Sequence, residues 1–152
     1  MEKYNFQFCQ KIVVFSKDRQ SVLLCKRKDE KDYDGVFSFI GGKMEIGDES
    51  ILAGLKREKD EEVGPEFKIK INPKYSANIF FIKKNGLRMI LPHYYAIHQS
   101  GEIELGAEYS EFNWVRIDDL EKFEPKIKNI PDSVREMMLF MQIQQAEDLI
   151  KI

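Results

Sequence analysis

Residues 57 to 64 read REKDEEVG, which sets Glu58, Asp60, Glu61 and Glu62 beside Arg57 and Lys59 in one short run. On a helix, at about 100° per residue, Glu58, Glu61 and Glu62 share an arc of about 100°. Like charges at that spacing repel, so the arrangement needs a positive partner. Arg57 lies one turn from Glu61 and can fix one carboxylate while the others stay free. Three hard oxygen ligands on one face suit Mg2+, which takes a few carboxylates, substrate phosphates and retained waters. The ordinary alternative is a solvated charged face. Zinc fits poorly, because Cys9 and Cys25 stand alone and His93 and His98 are not spaced as a ligand pair.

A second group precedes it, FIGGKMEIGDES at residues 39 to 50. Paired glycines let a backbone approach a ligand closely. The Gly41 carbonyl is a candidate metal ligand, Gly42 a candidate substrate contact, and Lys43 a candidate phosphate contact. The aromatic residues Phe80 and Tyr95 could stack on a base, although each also suits an apolar core.

These residues need a scaffold. The segment from Phe6 to Phe15 and the apolar run SVLLCKR at 21 to 27, with polar SKDRQ between them, predict a hairpin. VFSFI at 36 to 40 predicts a strand that ends at Gly41 and Gly42. From Glu49 to Val63 the spacing is helical, with Ile51, Leu52, Leu55 and Val63 forming the apolar arc. Ser50 suits its start, and Gly64 with Pro65 its end. FKIKINPKYSANIFFI and LRMILPHYYAIHQ read as strands joined through Asn85-Gly86, a tight-turn pair. FNWVRI predicts a last strand, and Pro131 opens a terminal helix running to Ile150 with Val134, Met138, Met141, Gln145 and Ile150 on one face. The order of elements implies an α/β layered domain.

The 152 residues carry 24 basic and 26 acidic side chains, a net charge of -2, which gives no field to recruit DNA or long RNA. One domain is the expectation at this length. No leader-like or membrane-spanning apolar run is visible, and the lone cysteines suit a reducing, cytoplasmic setting. The apolar run Met137 to Met141 exceeds what one buried face needs, so a homodimer contact is expected there.

The stretch GGKMEIGDESILAGLKREKDEEVG resembles the signature of the Nudix hydrolase family, G-x5-E-x7-R-E-U-x-E-E-x-G-U, where U is apolar. Counted back from Gly64, its arginine falls on Arg57 and its three helix glutamates on Glu58, Glu61 and Glu62. The isolated glutamate falls on Glu49. The signature glycine would then fall on Lys43, one residue after Gly42, so the chain carries a one-residue insertion around GDE; Asp48, with a shifted helix start, is the alternative acid. The U positions are Lys59 and Pro65. Lys59 must either lay its stem along the sheet and bring its amine out, or pair with an acid.

The resemblance implies a Nudix-like α/β/α sandwich with a mixed sheet, a single Nudix hydrolase domain over residues 1 to 152. It implies water attack on a pyrophosphate linkage of a nucleoside diphosphate joined to another group, with Mg2+ or Mn2+ held by Glu58, Glu61 and Glu62 and oriented through Arg57. For the base it points to Glu108, with Glu111 as rival and Glu58 or Glu49 as fallback. The favoured substrate class is a nucleoside triphosphate. Dinucleoside polyphosphates, nucleotide sugars, ADP-ribose and the 5′ end of an RNA are alternatives, and so is a non-catalytic nucleotide-binding protein. The proline that marks ADP-ribose-directed members is replaced by Phe80.

Overall fold

In the computed structural model, which describes residues 1–152, the chain runs β1 (Phe6–Phe15), β2 (Ser21–Arg27), β3 (Phe37–Ser38), β4 (Ile40–Lys43), α1 (Ile51–Val63), β5 (Lys68–Ile71), β6 (Ala77–Ile82), β7 (Arg88–Ser100), β8 (Tyr109–Arg116), α2 (Ile130–Ile143) and β9 (Ile150–Lys151). The strands form a mixed sheet ordered β3-β2-β1-β7-β5-β9, with β4 against β1, β6 against β7 and β8 against β2. Only β1 and β7 are parallel.

Side chains alternate across a strand, and β1 uses both faces. Ile12 and Val14 enter a core with Leu55 and Val63 of α1, whereas Val13 and Phe15 enter a second core with Ile130, Val134 and Met137 of α2. One helix on each face of a mixed sheet makes the expected α/β/α sandwich. No helix is long and apolar enough to cross a membrane.

Four expectations need correction. The predicted hairpin pairs only at Phe15↔Val22, because the edges of β1 are taken by β4 and β7 while β2 pairs with β8 and β3. Gly41 and Gly42 do not end a strand; they lie inside β4, opposite Lys11 and Gln10. Helix α1 starts at Ile51, and Ile51 itself is exposed, while Glu58, Lys59 and Glu62 are buried with Leu55 and Val63. The helix therefore turns its charged side partly inward.

The fourth correction is at the C-terminal end. Helix α2 stops at Ile143, where Gln144 turns to extended backbone, and the chain returns as β9 beside β5. The buried stripe of α2 is Ile130, Val134 and Met137, leaving the expected face residues Met138, Gln145 and Ile150 exposed. Returning to the sheet gives Ile152 backbone bonds in both directions with Ile69, at 2.9 and 3.1 Å, and buries its side chain in the α1-side core. Ile152→Ala should therefore cost roughly 2–3 kcal/mol. Ile150→Ala, at an exposed position of the same strand, should cost under ~1 kcal/mol. Chemical denaturation of the two variants checks the contrast.

Candidate active site

Ser50 sets the phase of α1. Its extended backbone precedes the helix, and its hydroxyl accepts the Ala53 N–H at 3.0 Å. Gly64, at φ 93°, closes the other end by donating its N–H to the Asp60 carbonyl. With the phase set, Glu58 and Glu62 lie one turn apart on the side toward β4. Lys59 completes the inner edge: fully buried, it donates to the Phe67 carbonyl at 2.9 Å and pairs with Asp60 at 2.5 Å. Of the two arrangements anticipated for this lysine, pairing with an acid is the one adopted.

Glu62 is 1% exposed. One carboxylate oxygen, Oε2, accepts the Gly41 N–H at 2.6 Å and the Tyr109 hydroxyl at 3.1 Å, and Oε1 is buried without a partner. The Glu58 carboxylate lies against Gly42, where a β-carbon would stand 2.4 Å from Oε2. Glycine is required at 42 for space rather than for its backbone angle. Burial pushes the Glu62 carboxyl up to about 8, against the pull of Lys11 and the Gly41 N–H, with Glu108 and Glu58 adding to the rise. Burial also raises Glu58, partly offset by Arg57.

Arg57 joins the cluster to the loop before the helix. Nε and Nη2 grip the two oxygens of Asp48 at 2.8 and 2.9 Å, Nη1 reaches Glu58 at 3.0 Å and Glu61 at 3.2 Å, and Nη2 also meets the Lys43 carbonyl at 3.1 Å. The bidentate hydrogen bond from Arg57 holds Asp48 down at about 2. Asp48 is thus the acid that meets the arginine, and Glu49 is exposed with no side-chain hydrogen bond or ion pair. Asp48 also stands six residues after Gly42, the glycine-to-acid interval of the signature, which puts the extra residue between Asp48 and Arg57.

The other predicted positions separate. Glu108 is exposed, and its charge reaches both Glu58 and Glu62. Glu111 is on β8 and faces Lys26 of the neighbouring strand at 3.7 Å. Glu61 is half exposed beside Arg57, and Lys43 is exposed at the end of β4. Tyr95 cannot stack on a base: it is fully buried in the α2-side core, with its hydroxyl bonded to Asn72 and Gln144. Phe80 is three strands from β4, about 14 Å at ordinary strand spacing, where it packs with Tyr4 and Phe6. Tyr109, which bonds Glu62, and Lys11, whose charge acts on Glu62 from a distance, were missed in the sequence, since nothing near them in the chain marks their place in the sheet.

No three acidic, histidine or cysteine side chains enclose a single metal point, because Arg57 draws Glu58 and Glu61 to itself while Gly41 holds Glu62. The donor set nevertheless fits a hard divalent cation. A buried carboxylate oxygen without a partner stands beside a second buried carboxylate and a bare glycine backbone.

The family model described as NUDIX domain matches residues 9–137. The chain belongs to the Nudix family. No curated protein matches this Nudix chain well enough to count as a relative. Among solved structures it is similar to a MutT protein from Methanosarcina mazei Go1, at 18% identity and TM-score 0.73 over 93% of this chain and 99% of that one. It is also similar to a C. elegans Ap4A hydrolase in a binary complex, at 17% and 0.71 over 90% and 98%. A third is the NUDIX domain of Shewanella oneidensis NrtR complexed with ADP ribose, at 19% and 0.67 over 90% of each chain. At such identities the likeness speaks for the fold.

The Glu62 environment has a stability consequence in metal-free protein. Its folded value is raised, so the buried carboxyl is tolerated when protonated, and stability is lost as pH climbs from the unfolded value of about 4.5 through about 8. Glu62→Gln should match the parent near pH 4 and, in chelator, exceed it by on the order of 3 kcal/mol at pH 8.5. Denaturation across that range checks it; equal curves at both ends would contradict the burial argument.

Proposed function

We propose that this Nudix chain, a single hydrolase domain over residues 1 to 152, is a divalent-metal-dependent enzyme. It cleaves a pyrophosphate linkage in a nucleoside diphosphate joined to another group, and its substrate class is a nucleoside triphosphate, released as nucleoside monophosphate and pyrophosphate. The observation that carries the reading is the Glu62 oxygen left without a partner, buried beside Glu58 and against the Gly41-Gly42 backbone. Glu58, Glu61, Glu62 and the Gly41 carbonyl would hold Mg2+ or Mn2+, which, when bound, neutralises phosphate charge and acidifies a coordinated water.

The chain's own residues supply the rest. Arg57 fixes Glu58 and Glu61 and, through Asp48, the loop that carries Lys43. Gly42 makes room for the Glu58 carboxylate beside the phosphate, and Lys43 contacts the phosphate from the solvent side. Glu108 takes the proton of the attacking water as its oxygen bonds to phosphorus and the bridging P–O bond breaks, the electron pair leaving on the departing oxygen. Glu111 is engaged with Lys26 and is the weaker choice; Glu49 makes no contact in the cluster and is the weakest.

An Ap4A hydrolase among the similar folds favours a dinucleoside polyphosphate as the second substrate class. The partner is a small nucleotide, with no DNA or membrane, and the free thiols of Cys9 and Cys25 support a cytoplasmic setting. The exposed Leu139 and Ile143 on α2 support a homodimer contact.

A panel of nucleoside triphosphates, dinucleoside polyphosphates, nucleotide sugars and ADP-ribose, assayed with Mg2+, with Mn2+ and with chelator, tests the reading. Turnover should need metal and yield monophosphate plus pyrophosphate from the triphosphate. Glu108→Gln should lower kcat by roughly 10²-fold or more, with Glu111→Gln within a few-fold. Nucleotide binding without turnover of any compound would instead favour a non-catalytic binding protein.

A further inference from the structure

Arg57 serves Asp48, Glu58, Glu61 and the Lys43 carbonyl at once, so it has little left for an incoming anion. A second cation stands close by and is not used. Lys11 lies in mid-β1, opposite Gly41 of β4 on one side and His93 of β7 on the other. Ile12 and Val14 face α1 and Val13 faces α2, so alternation sends the Lys11 side chain to the α2 face of the sheet. It is half-buried, and the ion pairs of the acidic cluster are made by Arg57 or within the helix, none by Lys11.

Neither neighbour in its row offers an anion. His93 is buried, its Nδ1 bonds the Leu91 carbonyl at 2.9 Å, and burial, with the Lys11 charge acting the same way, lowers its pKa. Gly41 has no side chain, and at φ 133° a β-carbon there would meet the Gln10 carbonyl oxygen at 2.0 Å, so β4 lies close against β1 beside Lys11 while the Gly41 N–H is bound by Glu62. The charge of Lys11 acts on Glu62 across the β1–β4 pair without touching it. Lys11 is half-buried and has no counter-ion, and a phosphate arriving at the β4 edge would supply one.

We propose that Lys11 contacts substrate, its ammonium binding a phosphoryl group of the nucleotide from the sheet face opposite α1, across Gly41 from the carboxylates. This rests on the hydrolase reading above. Lysine here would act as a point charge on a β-strand, held more rigidly than the exposed Lys43.

Lys11→Met, Lys11→Gln and Lys11→Arg are compared by steady-state kinetics and by calorimetric binding of a non-hydrolysable nucleoside triphosphate analogue, in Mg2+ and in chelator. The neutral variants should raise KM and the analogue Kd about tenfold or more, with kcat within about threefold, and arginine should restore most of the affinity. A merely structural lysine would not give that split or that rescue. Unchanged melting with analogue affinity within twofold of the parent overturns the assignment, and Lys11→Gln carries the same criterion if the methionine variant does not fold. A parent that neither turns over the panel nor binds the analogue removes the hydrolase reading and Lys11 with it. A parent that does both beside unaltered neutral variants removes the Lys11 assignment alone.

Discussion

A carboxylate taken out of water must find donors or a cation, and the Glu62 side chain finds only half of what it needs. The Gly41 N–H and the Tyr109 hydroxyl satisfy one oxygen, tying α1 to β4 and to the start of β8. The other oxygen has nothing. An unsatisfied buried polar atom costs free energy that a folded domain retains only where something else requires it. The glycine pair follows from the same constraint, since any side chain at 42 would occupy the space of the Glu58 carboxylate.

Gathering acids on one helix also needs a device to stop them from driving each other apart. Arg57 is that device, and its planar fork suits the task because it grips Asp48 with two bonds while still reaching Glu58 and Glu61. Lys59 does the corresponding work inside. Its amine ends on the Phe67 carbonyl and Asp60, so the helix seats against the chain that leads into β5 in spite of a charge at an apolar position. The extra residue between Asp48 and Arg57 is absorbed in the Ser50-capped turn, which lets the aspartate arrive where a glutamate one residue later would not.

The sheet keeps two chemistries apart. On its α1 side lie carboxylates with too much negative charge; on its α2 side, at the same row, lies a lysine without an anion. Gly41 separates them, its backbone lying close against β1 and its N–H bound to Glu62. This division explains why Tyr95 and Phe80 were poor choices for a substrate platform. Tyr95 belongs to the α2 core, and Phe80 belongs to an aromatic group three strands away.

Much was legible in the chain itself. The spacing of Arg57, Glu58, Glu61 and Glu62, the glycine pair, the helix between Ser50 and Gly64 and the Asn85-Gly86 turn are local patterns, governed by helical period, capping and turn geometry. They led to the family and its layered fold. What the sequence could not determine depended on residues far apart meeting in space. The pairing of Arg57 with Asp48 rather than Glu49 turned on the phase of one cap. The turn of the last residues back to the sheet as β9 depended on a free edge at β5. The Tyr109 bond to Glu62, and the place of Lys11 opposite Gly41, exist only once sheet register is set. Register comes from the packing of two cores at once, and no short stretch of chain contains that information.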